Sequence, residues 1–401
     1  MSKEDSANNI LPVNGIRLSA INAGVSKKDK DDVVLIALAE GTQSAAVFTQ
    51  NAFCAAPVQV AKKHISETSP RYLLINSGNA NAGTGQAGYE AAMKSCSAVA
   101  EITGCHTNEV LPFSTGVIGE LLPVEKIVAS LPTLNDALYE ELWHPASEAI
   151  LTTDTRAKLY SCQLKLNGQT INITGMTKGS GMIRPNMATM LAYIATDAKI
   201  ESAQLQACLQ QAVDLSFNRI TVDGDTSTND SVVLMATGTS GVEINDSNLQ
   251  TFQTALNDFF IELARSIVRD GEGATKLINI IVEQGESEQE CAKVAYAIAH
   301  SPLVKTAFFA SDPNWGRILA AVGYAGISDL DIEKVNIYLD DVCLVQDGGV
   351  AASYTEEQGQ AVMNKSEITV RVNLQRGAHT TTVWTCDFSY DYVRINAEYR
   401  T

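Results

Sequence analysis

An α+β fold is predicted from three observations. Strand-like runs follow one another directly near both ends of the chain. Helical stretches are interspersed at irregular intervals, without the steady alternation that marks a parallel βαβ sheet. The composition suits a large core: 45% hydrophobic and 19% charged over 401 residues, enough for two or three domains, or one large one, at roughly 150 residues each.

In chain order, residues 1–9 are polar. Runs at 16–25, 31–41, 45–53, 57–62 and 71–77 read as strands separated by Gly, Asn, Asp and Pro. The Gly/Asn-rich turn at 77–85 opens a helix over 86–103, with Ala91, Cys96 and Val99 among its apolar positions and Gly104 as its stop. That turn reads as a strand-to-helix cap and lacks the G-K-[ST] ending of a phosphate loop. A strand running into a tight turn follows at 111–119, then helical patches at 123–131 and 135–150. The runs 158–166 and 169–176 flank Asn167-Gly168, a strong hairpin signal. Next come a strand at 190–196, a helix at 201–215, a strand at 232–238, a helix over 247–269 and a strand at 277–285. A helix at 287–300 and a strand at 304–310 precede the closing strands at 335–345, 366–377 and 380–389.

Charge excludes several function classes. Lys and Arg number 29 against 46 Asp and Glu, a net charge of −17, which disfavours binding to a nucleic-acid backbone. No apolar run reaches the ~18 residues of a membrane helix. The opening MSKEDSANNILPVNG has no apolar leader, so a cytoplasmic location is expected. The eight cysteines are scattered without a C-x-x-C pair, and the five histidines supply no close ligand pair. Neither a metal nor a resident cofactor is expected. The loop 221–230 resembles a metal loop in composition but lacks the terminal Glu of the calcium pattern, and hydrogen-bonded turns are the expectation. His300 and Trp315 read as packing or interface residues.

One segment carries chemistry. In residues 178–191, two glycines and a proline make an irregular loop, and Ala188 leads into Thr189 at the head of an apolar strand. A threonine there is ordinarily a strand residue. It becomes a nucleophile when its own α-amine is free to act as base, because an α-amine titrates at about 7.7–8. Exposing that amine in mid-chain requires cutting the Ala188–Thr189 bond, by attack of the Thr189 hydroxyl on the Ala188 carbonyl and hydrolysis of the resulting ester.

The run KGSGMIRPNMATMLAYIATDA resembles the maturation site of the ornithine acetyltransferase (glutamate N-acetyltransferase) family of arginine biosynthesis. LINSGNANAGTG, PFSTGVIGE, LTTDTRAK, TVDGDTSTNDS, VRDGEGATK, SPLVKTAFFASDPNWGRI and the ending NAEYRT resemble further blocks of that family in the same order and cover most of the chain. The resemblance implies stacked β-sheets flanked by helices, αββα-like and similar to N-terminal-nucleophile hydrolases. It also implies self-processing into an α chain (1–188) and a β chain (189–401), interleaved in one core and assembled as an α2β2 heterotetramer.

The implied reaction moves acetyl from N2-acetylornithine to glutamate through an ester on Thr189, with acetyl-CoA as a further co-substrate. By the same resemblance, Thr115 and Gly116 form an oxyanion hole, and Thr152, Lys178, Thr189, Glu272, Asn396 and Thr401 contact substrate. Glu272 would receive the side-chain ammonium of ornithine, while Lys178 would attract carboxylates and keep the Thr189 amine unprotonated. An ordered C-terminus would need Tyr392, Ile395 or Tyr399 to dock it. The alternative reading is a self-processing amidohydrolase or aminopeptidase, in which water attacks the same ester.

Overall fold

The computed structural model describes residues 10–27, 29–166, 168–184 and 190–398; Asn167, Ala188, Thr189 and Thr401 lie outside them. The chain divides into two compact units, Met1–Asn218 with Asp225–Ile267, and Arg219–Gly224 with Val268–Thr401. The division therefore does not fall at the 188/189 junction.

The first unit contains, in order, β1 (Ile16–Ile21), β2 (Val33–Leu38), β3 (Gln43–Phe48), α1 (Ala56–Glu67), β4 (Tyr72–Asn76), α2 (Gly85–Thr103), β5 (Val110–Ser114), α3 (Val124–Asp136) and α4 (Trp143–Ala149). It continues with β6 (Lys158–Leu166), β7 (Gln169–Lys178), β8 (Leu191–Thr196), α5 (Ser202–Leu215) and β9 (Ser231–Ala236). The long helix α6 (Leu249–Arg269) ends at the boundary.

Two sheets form, ordered β1-β2-β4-β5 and β3-β9-β8-β7-β6. Alternation decides their faces. Leu18, Ile36, Ile75 and Phe113 of the first sheet share one buried cluster with Met176, Tyr193 and Val233 of the second. The intervening residues Val33, Leu35 and Leu74 point the other way, onto Cys96 and Val99 of α2 and Ile127 and Leu131 of α3. On the far side of the second sheet, Phe259 of α6 packs on Tyr160 of β6 with ring centres 5.1 Å apart, and Gln206 of α5 bonds the backbone of Ala46 in β3. The layering is helix, sheet, sheet, helix. It matches the predicted class, α+β with stacked sheets flanked by helices.

Strands from both sides of the 188/189 junction share the second sheet. β8 and β9, which follow it, lie between β7 and β3, which precede it. The ladders run Ile173↔Thr196 to Lys178↔Leu191 and Gln43↔Ala236 to Phe48↔Ser231.

The second unit holds β10 (Leu277–Gly285), α7 (Glu288–Ala299), α8 (Pro302–Phe309), α9 (Trp315–Gly323), β11 (Asn336–Leu339), β12 (Val342–Gln346), β13 (Gly349–Val350), α10 (Glu356–Met363), β14 (Glu367–Asn373), β15 (His379–Cys386) and α11 (Tyr390–Ala397). Its sheet is ordered β13-β12-β11-β14-β10-β15, and Cys291, Ile298, Phe308, Ile318 and Val362 from its helices pack on Ile280, Ile337 and Val370.

Two predicted strands are helices. Residues 57–62 belong to α1, where Pro57 sits in the first turn and Val58, Ala61 and His64 are buried at helical spacing. Residues 304–310 belong largely to α8, started by Pro302 and by the Ser301 side chain, which accepts the Val304 N–H. The patch at 135–150 is helical over the end of α3, which runs to Asp136, and over Trp143–Ala149, with a break between them, and α9, α10 and α11 fall where the sequence reading places no element. The hairpin, the helix over 86–103 and its Gly104 stop at φ 75° are as expected.

Candidate active site

β5 leads into the Thr115-Gly116 turn. Gly116 adopts φ +134°, and a Cβ there would lie 2.3 Å from the Gly78 carbonyl carbon and 2.5 Å from the Asn79 nitrogen, so no side chain fits. The turn is pinned on both sides: Thr115 N–H donates to Asn76 O (3.0 Å) and Val117 N–H to Gly78 O (3.3 Å). The Gly116 N–H between them meets no carbonyl partner among the described residues.

β7 ends at Lys178, in register with Leu191 of β8 and thus across the ladder from the strand that Thr189 precedes. The Lys178 Nζ donates to the hydroxyls of Thr115 (3.2 Å) and Thr152 (3.0 Å). Three of the predicted residues, Thr115, Thr152 and Lys178, therefore meet around one ammonium. The Lys178 side chain is 11% exposed.

Asp154, which sequence reading did not single out, organises this cluster. Its fully buried carboxylate accepts from Lys158 Nζ (2.6 Å), the Gly179 N–H (2.7 Å) and the Thr152 N–H (3.1 Å), with Lys178 Nζ at 3.9 Å. Burial alone would raise its pKa. The charges of Lys178 and Lys158 overcome that and hold it well below the usual carboxylate range. The sequence signal was only an Asp–Lys pair four apart, a spacing common on solvated helices.

Asp230 behaves in the opposite way. It is buried, and burial pushes its carboxyl well above the usual range against the Met190 N–H, the Lys178 charge and the Ser227 hydroxyl. Its Oδ2 has no hydrogen-bond partner among the described residues. Lys158 and Lys178 both reach the Asp154 carboxylate, and Lys178 Nζ sits beside the two hydroxyls, where such donors can meet a carboxylate or a developing oxyanion.

In the second unit, Glu272 is buried and accepts from Asn396 Nδ2 (2.7 Å), which also donates to Tyr392 O (3.0 Å). α11 is docked by Ser389, which caps it and donates to Gly273 O (2.6 Å), and by Tyr392 stacked on Phe388 at 4.7 Å. Beneath Phe388 lies the buried ammonium of Lys305, 4.4 Å from the ring centre. Glu272 and Asn396 are thus brought together. Ala188, Thr189 and Thr401 fall outside the described residues. In the loop 221–230, Thr221 Oγ1 and His300 Nε2 are 3.2 Å apart, and Trp315 packs at the edge of the second unit's core. A cleft of about 230 Å³ lined by Glu40, Lys199 and Glu201 contains none of the predicted residues.

A layered α+β unit in which a buried lysine meets two threonine hydroxyls is that of an enzyme acting on a small molecule. Residues 17–401 match the model of the ArgJ family. The chain is 57% identical to the arginine biosynthesis bifunctional protein ArgJ of Psychrobacter arcticus over 98% of this chain and 97% of that one. It is 56% identical, with the same coverage, to the protein of that name from Methylococcus capsulatus. A crystal structure of the Bacillus halodurans arginine biosynthesis bifunctional protein ArgJ is similar at 41% identity and a TM-score of 0.50, covering 52% of this chain and 99% of that one. The chain belongs to the ArgJ family, the bifunctional enzymes of arginine biosynthesis. Among the described residues, no helix is long and apolar enough to cross a membrane.

Proposed function

We propose that the protein transfers acetyl from N2-acetylornithine to glutamate by a two-step covalent mechanism on Thr189. The observation that carries this reading is the meeting of Thr115, Thr152 and Lys178 within hydrogen-bond distance, inside a family-matched chain. The Thr189 hydroxyl attacks the acetyl carbonyl and its α-amine takes the proton. The oxyanion forms against the Thr115 hydroxyl and Gly116 N–H, and ornithine leaves with the proton. Glutamate then attacks the ester with the roles reversed. Lys178 and Thr152 bind the substrate carboxylate, and Glu272, Asn396 and Thr401 receive the ornithine side chain.

The reading requires maturation at Ala188–Thr189 into chains 1–188 and 189–401. The shared second sheet supports it, because a cut there leaves two ladders holding the pieces together. The solved relative supports it too: 99% of that chain covers only 52% of this one, as a cut chain of about half length does. We assign acetyl-CoA as the second donor of a bifunctional enzyme with no resident cofactor, an α2β2 assembly and a cytoplasmic location.

Incubation with acetylornithine, with and without glutamate, tests the transfer. Ornithine release accelerates with glutamate and yields N-acetylglutamate. Equal rates in both arms would identify a hydrolase instead. In the same assay Lys178→Ala lowers turnover by tenfold or more, since it removes the charge beside Thr115; unchanged turnover removes Lys178 from the site.

A further inference from the structure

The loop after residue 221 contains a buried amide that the mechanism above does not use. Asn229 is 6% exposed. Its Nδ2 donates to two carbonyls, Ala80 O (2.6 Å) and Ser114 O (2.9 Å), so both amide protons are committed. Its Oδ1 accepts from the Thr228 hydroxyl (2.6 Å), which fixes which way the amide faces, and its own N–H donates to Ser227 Oγ (3.1 Å).

The two carbonyls lie on opposite sides of the Gly116 seat. Ser114 O belongs to the peptide group that leads into Thr115. Ala80 lies in the run packed against the turn and donates its N–H to Val117 O (2.9 Å). One side chain thus clamps both walls of the turn. The next residue, Asp230, accepts the N–H of Met190, which directly follows Thr189, and Ser231 N–H donates to Met190 O (3.0 Å). A single tripeptide therefore links the oxyanion turn to the backbone beside the nucleophile.

We propose that Asn229 is a positioning residue for acetyl transfer: its amide, oriented by Thr228, holds the Thr115-Gly116 turn at the place where the oxyanion develops. The inference rests on the oxyanion role assigned above to that turn. Releasing the clamp leaves substrate binding intact and lets the donors drift. A displacement of about 1 Å costs on the order of 10²-fold in rate.

The test uses Asn229→Ser, Thr228→Val and each of them combined with Thr115→Val, assayed for ornithine release per cleaved protomer with acetylornithine and glutamate. Asn229→Ser lowers kcat by about 10- to 100-fold with KM within twofold of wild type. Thr228→Val lowers kcat by a smaller factor in the same pattern. Neither adds its full loss on the Thr115→Val background, because both act through that turn. A kcat within twofold of wild type, a rise in KM at constant kcat, or full additivity with Thr115→Val overturns the proposal. Where Asn229→Ser does not fold, Thr228→Val, which removes one hydroxyl at constant shape, decides alone, and an unchanged kcat there overturns it. A wild-type enzyme that releases no ornithine sinks the functional reading itself, an outcome distinct from any of these.

Discussion

Asp154 and Asp230 are chemically identical side chains in the same unit with opposite acid–base behaviour. The difference is their neighbours. Asp154 has two ammonium groups within reach, Lys158 and Lys178; Asp230 has one oxygen without a partner among the described residues. Because the folded pKa of Asp154 is depressed, its contribution to stability is fully present above its unfolded value of about 3.9, declines as pH falls below that value, and is gone only once pH has fallen through the much lower folded value. Asp154→Asn strands two buried ammonium groups and is expected to cost on the order of 3–5 kcal/mol at pH 7. Urea unfolding of wild type and variant at pH 7 and pH 3 checks the sign: the gap narrows at pH 3. A gap of constant size from pH 3 to 7 would show that Asp154 is not the charged partner described. Sequence reading reached Lys178, Thr115 and Thr152 through resemblance, yet passed over Asp154, Lys158 and Asn229. Their roles arise from burial and from partners 25 and 115 residues away, which no local spacing records.

At the scale of elements, the sequence was most legible where hydrophobic period and turn chemistry agreed. Asn167-Gly168 between two alternating runs, and the Gly104 stop of α2, are cases of such agreement. It was least legible where β-branched or aromatic residues filled helices. Val58 and Val60 suggested a strand, but Pro57 at the start of α1 and the spacing of Val58, Ala61 and His64 favoured a helix. In α8 the signal missed was a Ser-Pro start. Ser301 Oγ accepts the Val304 N–H at 3.3 Å in a buried setting. Ser301→Ala should cost about 1 kcal/mol, read as a lower urea midpoint at unchanged slope. A loss below about 0.3 kcal/mol would mean that Pro302 and packing, not the cap, set the start of α8. α10 carried a similar unread signal, the reciprocal Thr355–Gln358 capping box.

At the scale of the whole molecule, the layered first unit brings Thr115, Thr152 and Lys178 together while interleaving strands from both sides of one peptide bond. β7 and β8 form a ladder around that bond, so cleavage would remove a covalent link without unpairing either strand. The most direct measurement is intact mass before and after acetylornithine is added alone. The account predicts that the 43.0 kDa chain is found as fragments of about 20 and 23 kDa. The larger fragment should gain about 42 Da with the donor, as an acetyl ester requires, and lose it when glutamate follows. An uncut chain that still turns over, or ornithine release at full rate without any mass gain, would contradict it.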